Sequence, residues 1–313
     1  MSAKILEYIF LFLIFPGFLF STTMGLMVCW VDRKITARLQ WRVGPPWYQN
    51  FFDVLKLLLY KETLIPEGVS RVLFLGMPLL AASSAALAST IILVINGAPF
   101  QGFMGDLIVI IYLLMMPSIA IMLGAFASRN PLASLGASRE MKLMLAYELP
   151  FILSLIVPII KSGYAIKLGS IITQQSGGFI AGSPSGVISF ITALLCVQAK
   201  LGFVPFDMPE AETEIMGGTY IEYSGKALGI FKIAKAIMFF MLPILLISLY
   251  FGGIRSSVDG LVKNVLQYLL ILVLIIVIKN TNPRVRIDQA VKFFWGLVTP
   301  AAAIAIVLAY LGH

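Results

Sequence analysis

Residues 266–278 read LQYLLILVLIIVI and turn apolar side chains to every side of a helix, with Gln267 and the Tyr268 hydroxyl the only polar interruptions. A helix that is apolar all round has no face for water, so it belongs in a large protein core or in a lipid bilayer. The whole chain argues for the bilayer: of 313 residues, 59% are hydrophobic and 12% charged, and the mean hydropathy is +0.96. A helical crossing takes about 20 mainly apolar residues. Working outward along the chain gives eight such runs, at 5–30, 71–95, 106–128, 143–161, 186–203, 229–251, 262–279 and 292–311. The short alternating runs of a membrane β-barrel are absent. The fold expected is therefore an all-α polytopic membrane protein with eight transmembrane helices, in one membrane domain over 1–313.

The first run carries a lone Lys4 and no small-residue cleavage site, so it reads as a retained helix and not a signal peptide. No period of 20–50 residues and no inverted repeat recurs. Between the crossings, Phe51, Val54, Leu55 and Leu58 recur at helical spacing, with Asp53, Lys56 and Tyr60 on another face. That pattern predicts an amphipathic helix of about 12 residues lying along the membrane surface.

Charge sets the orientation. With eight crossings, the loops after the first, third, fifth and seventh hold most of the basic residues, among them Arg33, Lys34, Arg38, Arg42, Arg129, Arg139 and Arg284. The positive-inside rule makes that side cytoplasmic and leaves both termini outside. The net charge of +8 thus describes a cytoplasmic face. No basic and aromatic platform recurs, and nucleic acid is not an expected partner. The sole histidine is His313, and Cys29 and Cys196 fall in separate crossings, so no zinc, haem or iron–sulfur ligand set is expected in this chain. No nucleophile and base pair is visible either, which points away from catalysis by this chain alone.

The chemistry concentrates in residues 204–224, VPFDMPEAETEIMGGTYIEYS, which hold five of the 15 acidic residues. If the segment coils, Glu210 and Glu214 share a face, and carboxylates that close raise each other's proton affinity. After the first crossing, Arg38 and Arg42 are four apart and so share a helix face, with Arg33 and Lys34 one turn earlier, and Gly44 and Pro45 then end the helix. A basic helix end of this kind is ordinary topology, or else a partner for the acidic loop. Glu148, inside an apolar run, costs about 2.5–3.5 kcal/mol at mid-membrane on insertion scales. It therefore predicts a buried partner or a hydrated path.

Taken together, Asp32-Arg33-Lys34 through Gln40-Trp41-Arg42-Val43-Gly44-Pro45, DVLKLLLYKE at 53–62, Tyr147-Glu148, PFDMPEAETEI at 205–215 and Glu222-Tyr223-Ser224-Gly225 resemble the quinone-chamber membrane subunit of respiratory complex I and its hydrogenase-type relatives. The resemblance spans nearly the whole chain in register. It implies a chamber and coupling surface from Arg33, Arg38, Gln40, Arg42 and Gly44 with Asp207, Glu210, Glu212 and Glu214, and a proton path through Glu148, Glu222 and Lys235. Asp32 in place of glutamate, Pro46 after Gly44-Pro45, a shortened link at 47–50, Ser138-Arg139-Glu140-Met141, and Lys235 where complex I tends to have glutamate are closer to the energy-converting membrane-bound nickel–iron hydrogenases and their archaeal sulfur-reducing relatives. The implied role is a non-catalytic anchor that couples redox chemistry in a cytoplasmic iron–sulfur arm, shared with hydrogenase-like subunits, to H⁺ or Na⁺ translocation by antiporter-like partners. A quinone-binding complex I subunit and a stand-alone secondary transporter using Glu148 are the alternatives.

Overall fold

The computed structural model describes residues 9–175, 178–254 and 258–312. Lys4, the start of the first expected crossing and His313 lie outside them. All regular structure among the described residues is helical. Among the described residues, seven helical segments are long and apolar enough to cross a membrane, and Pro184–Lys200 is a shorter apolar helix. At 17 residues it sits at the lower limit for a crossing, in the place of the fifth run.

The first segment opens with a π-turn at Phe10–Ile14 and continues as α1, Phe18–Leu39. Then come α2, Gln49–Leu59, α3, Arg71–Gly97, α4, Asp106–Ala127, α5, Pro131–Lys161, and the short α6, Leu168–Gln174. Helix α7 is Pro184–Lys200, α8 is Glu212–Ile215, α9 is Gly225–Tyr250 and α10 is Val258–Thr281. The last crossing joins α11, Ile287–Phe293, through a π-turn at Phe294–Val298 to α12, Thr299–Tyr310.

Three expectations shift. Helix α5 begins at Pro131, not near 143, so most of the expected loop at 128–142 is helix. Proline suits the first helical position, and the Asn130 carboxamide oxygen accepts from the Leu132 N–H at 2.8 Å. Helix α1 stops before Arg42, so Arg38 and Arg42 do not share a helical face. Trp41 takes a left-handed φ of +59°, its N–H bonds the Arg38 carbonyl at 3.1 Å, and the Arg42 N–H reaches back to the Ala37 carbonyl at 2.7 Å. Those reversed bonds satisfy carbonyls that the ended helix leaves over. The amphipathic helix is present, yet it buries Asn50, Val54 and Leu57 and leaves Leu55 exposed. Asn50 turns inward because its carboxamide donates to the Leu26 carbonyl at 3.1 Å.

The chain forms two compact units. The first comprises residues through Thr90, Tyr112–Met141 and Asp207–Met241; the second comprises Ile91–Ile111, Lys142–Phe206 and residues from Leu242 onward. In lipid, helices are joined by close packing and hydrogen bonds more than by expulsion of water. In the first unit, Phe74, Ala81, Ala82, Ala120, Tyr223 and Phe231 pack together, with Phe74 stacked on Tyr223 at 4.3 Å between ring centroids. Ser21 and Ser89 share a hydrogen bond of 2.7 Å. In the second, Val157 packs with Ala305 and Ala309, and the Asn96 carboxamide is bonded to the Ser248 hydroxyl at 2.8 Å.

Candidate functional site

The acidic segment is not one helix. It runs as a 3-10 turn at Met208–Glu210, α8, a left-handed pair at Met216 and Gly217 with φ of +53° and +91°, and a second 3-10 turn at Gly218–Tyr220. Ala211, at ψ 96°, breaks the coil between Glu210 and Glu214. These two carboxylates therefore do not share a helical face, and each has its own cation. Glu210 takes the Lys235 ammonium of α9 at 2.7 and 2.9 Å. Glu214 takes the Arg139 guanidinium of α5 at 2.6 Å, and the same guanidinium nitrogen reaches the Met208 carbonyl at 3.3 Å.

A close approach supports the Arg139 clasp. Gly136, one turn earlier on α5, lies so near the segment that a Cβ there would stand 2.8 Å from Thr219 N and 3.0 Å from the Pro209 carbonyl oxygen. Glu140, next to Arg139, takes a hydrogen bond from Ser118 and feels both Glu210 and Lys235. Lys235 thus serves two carboxylates, one on α5 and one in the acidic segment. Burial, followed by the nearby charges of Glu210 and Glu140, holds the Tyr220 phenol well above its ordinary range, so it stays a hydrogen-bond donor. Asp207 is buried and Glu212 exposed. Glu222 accepts from the Asn130 carboxamide.

The first-loop residues lie at the end of α1. Arg33 pairs with Asp53 of α2 at 3.0 Å. Glu214 and Glu210 of the acidic segment pair with Arg139 and Lys235 and not with this group. Arg38, Gln40 and Arg42 are exposed. Gly44 has φ +76°, and a Cβ there would meet Ala37 Cβ and Lys34 Cδ at 3.1 Å. Only glycine lets the chain fold back over the helix end so tightly.

In the second unit, Glu148 has the buried partner its position demanded. Lys200, the last residue of α7, places Nζ 3.0 Å from Oε2 and 3.3 Å from Oε1 of Glu148. The ammonium also lies 5.5 Å from the Tyr147 ring centroid and 4.8 Å from that of Phe151. Aromatic faces attract a cation electrostatically, and this offsets part of its lost hydration. No group of three or more His, Cys, Asp and Glu is placed to hold a metal among the described residues. The chemistry these side chains offer is proton exchange and charge response.

The profile of the NADH dehydrogenase family matches residues 11–310. The chain belongs to this family. Relatives within the NADH dehydrogenase family include an NADH-quinone oxidoreductase subunit of Anoxybacillus flavithermus, 33% identical over 95% of this chain and 90% of that one. The corresponding NADH-quinone oxidoreductase subunit of Thermomicrobium roseum is 32% identical over 92% of each. A chain from the solved membrane-bound sulfane sulfur reductase, an archaeal respiratory membrane complex, superposes with a TM-score of 0.84 at 29% identity, over 93% of this chain and 96% of that one.

The expected site residues did not include Lys200, Arg139, Glu140 or Asn130. Lys200 carried a usable signal, since it is the one charged residue in the run 186–203. The cost that flagged Glu148 applies equally to an ammonium. Arg139 and Glu140 carried none, because polar residues on the cytoplasmic side of a crossing read as ordinary topology.

Proposed function

We propose that this chain is the membrane anchor and coupling subunit of an ion-translocating respiratory complex of the sulfur-reductase or membrane-bound hydrogenase type. The observation that carries it is the acidic segment clasped by Arg139 and Lys235, in a chain similar over almost its whole length to a subunit of a sulfane sulfur reductase. Charge arriving near that segment changes the balance that holds Glu210 and Glu214, and a group whose interactions differ between two redox states shifts a conformational equilibrium. Arg33, Arg38, Gln40, Arg42 and Gly44 form the adjoining chamber wall. Glu148, Glu222 and Lys235 handle protons.

Iron–sulfur clusters belong to hydrophilic partner subunits, and antiporter-like membrane partners move H⁺ or Na⁺. The basic loops face the cytoplasm, with both termini outside. The whole chain works as one membrane domain. A second reading, a quinone-binding subunit, is favoured by the names of the bacterial relatives.

The test is purification of the complex from native membranes. Co-purification of an iron–sulfur subunit and a subunit with paired CxxC nickel-type ligands supports the proposal, and a chain that purifies alone overturns it. Turnover with reduced ferredoxin after quinone depletion separates the two readings. Glu148→Gln and Glu212→Gln should each cut coupled ion movement with assembly intact, and unchanged pumping in both refutes the coupling role.

A further inference from the structure

Helix α7 carries Ser185, Ser189, Thr192, Cys196 and Lys200 at successive spacings of four, three, four and four residues, which is a single helical stripe. All five are buried, none more than 7% exposed. One end of the stripe is the Glu148–Lys200 pair. Near the other, a cavity of about 240 Å³ is lined by Lys161, Ser162, Gln174 and Ser183, among others. Resting on the ion-translocating role above, we propose that this stripe is a proton path joining the Glu148–Lys200 pair to that cavity.

The contacts along it fit a relay. Lys161 donates to the Ser183 hydroxyl, and Ser183 and Ser185 are 3.4 Å apart between hydroxyl oxygens. One turn on, Ser189 lies 2.7 Å from the Tyr250 hydroxyl, and both reach the Ser154 carbonyl, at 2.6 and 3.0 Å. Ser189 and Tyr250 own one hydroxyl proton each, so two of the three contacts are made at a time, in either of two orders. Either Tyr250 donates to Ser189 and Ser189 to the carbonyl, or Ser189 donates to Tyr250 and Tyr250 to the carbonyl. A hydroxyl relay needs such a reversal to reset after each proton passes. Thr192 then donates to the Ser189 carbonyl at 2.7 Å.

The steps from Ser185 to Ser189, from Thr192 to Cys196 and from Cys196 to Lys200 each rise about 6 Å along the helix, and that from Ser189 to Thr192 about 4.5 Å, so the proposed path uses a bridging water at each. Every hydroxyl, thiol and water in the relay accepts one proton and passes on its own, while the Ser154 and Ser189 carbonyls only accept and hold the hydroxyls in place. The net change is one proton gained or lost by Glu148 and one exchanged with solvent in the cavity. Hydroxyls between membrane helices also serve as packing contacts, and the substitutions below separate the two roles.

The whole complex, in sealed inside-out vesicles supplied with reduced ferredoxin and polysulfide, reports proton uptake per electron. Cys196→Val and Tyr250→Phe should lower that ratio severalfold, while Cys196→Ser, which puts a hydroxyl on the stripe, should match or exceed the unaltered complex. Thermal stability of each variant is measured alongside, and should Tyr250→Phe fail to assemble, the two Cys196 variants decide. Equal losses in Cys196→Ser and Cys196→Val, unchanged uptake in Cys196→Val and Tyr250→Phe, or vesicles that move only Na⁺, each overturn the path. Glu148→Gln and Glu212→Gln distinguish the two levels: loss of pumping there with intact stripe variants removes the path alone, whereas intact pumping in both Glu148→Gln and Glu212→Gln removes the coupling role beneath it.

Discussion

The Lys200 ammonium sits 3.0 Å from the Glu148 carboxylate with side-chain exposures of 0% and 12%, so this ion pair is taken almost wholly out of water. A buried pair of this kind is weak as a source of stability and expensive to break, because removal of one partner leaves the other charge alone in a poor solvent.

Lys200→Met and Glu148→Gln should each destabilise the folded chain, Lys200→Met by about 3–5 kcal/mol because it strands a carboxylate. The double variant should recover a large part of the loss. Thermal unfolding of the single and double variants forms the cycle, and additive losses would mean that the two groups do not sense each other.

Lys235→Met leaves Glu210 without its ammonium and Glu140 without the positive charge beside it. Coupled ion movement should fall severalfold, and backbone amide exchange across 208–216 should quicken. Lys235→Arg should restore the exchange pattern in part, since it keeps the charge. Exchange rates identical in Lys235→Met and the parent would show that the pair does not hold the segment.

Gly136→Ala forces a methyl carbon to within 2.8 Å of a backbone nitrogen, and overpacking of this sort costs about 1–3 kcal/mol. Gly76→Ala, on α3, meets nothing within 4 Å and should stabilise by about 0.5–1 kcal/mol through helix propensity. Unfolding midpoints of the two variants should therefore move in opposite directions.

The Tyr220 phenol is held above its ordinary range in the folded chain. The unfolded chain gives up that proton near pH 10, roughly, while the folded chain keeps it. Stability from this group is fully present below that pH and is lost as pH rises beyond it. Tyr220→Phe should flatten the alkaline arm of the stability curve, and an unchanged slope would place the loss at other groups.

The crossings were legible because lipid demands runs of apolar residues, and such runs can be read without knowing what they touch. The ends were less so. Helix α5 reaches back to Pro131 through Ser134, Ser138, Arg139 and Glu140, since a helix outside the bilayer has no need of apolar residues. Helix α1 stops at a left-handed tryptophan, a residue type with no preference for that conformation. In the candidate site, the carboxylates stood out by scarcity, while their cations did not. Arg139 is 75 positions from Glu214, and Lys200 is 52 from Glu148, so only the folded chain brings them together.

Lys235 between Glu140 and Glu210 makes a set of three, whereas Lys200 and Glu148 make a set of two. With every group ionised, the three sum to −1 and the two to zero. A single arriving H⁺ therefore silences the trio and electrifies the duo, so the same event subtracts a field in one place and creates one in the other.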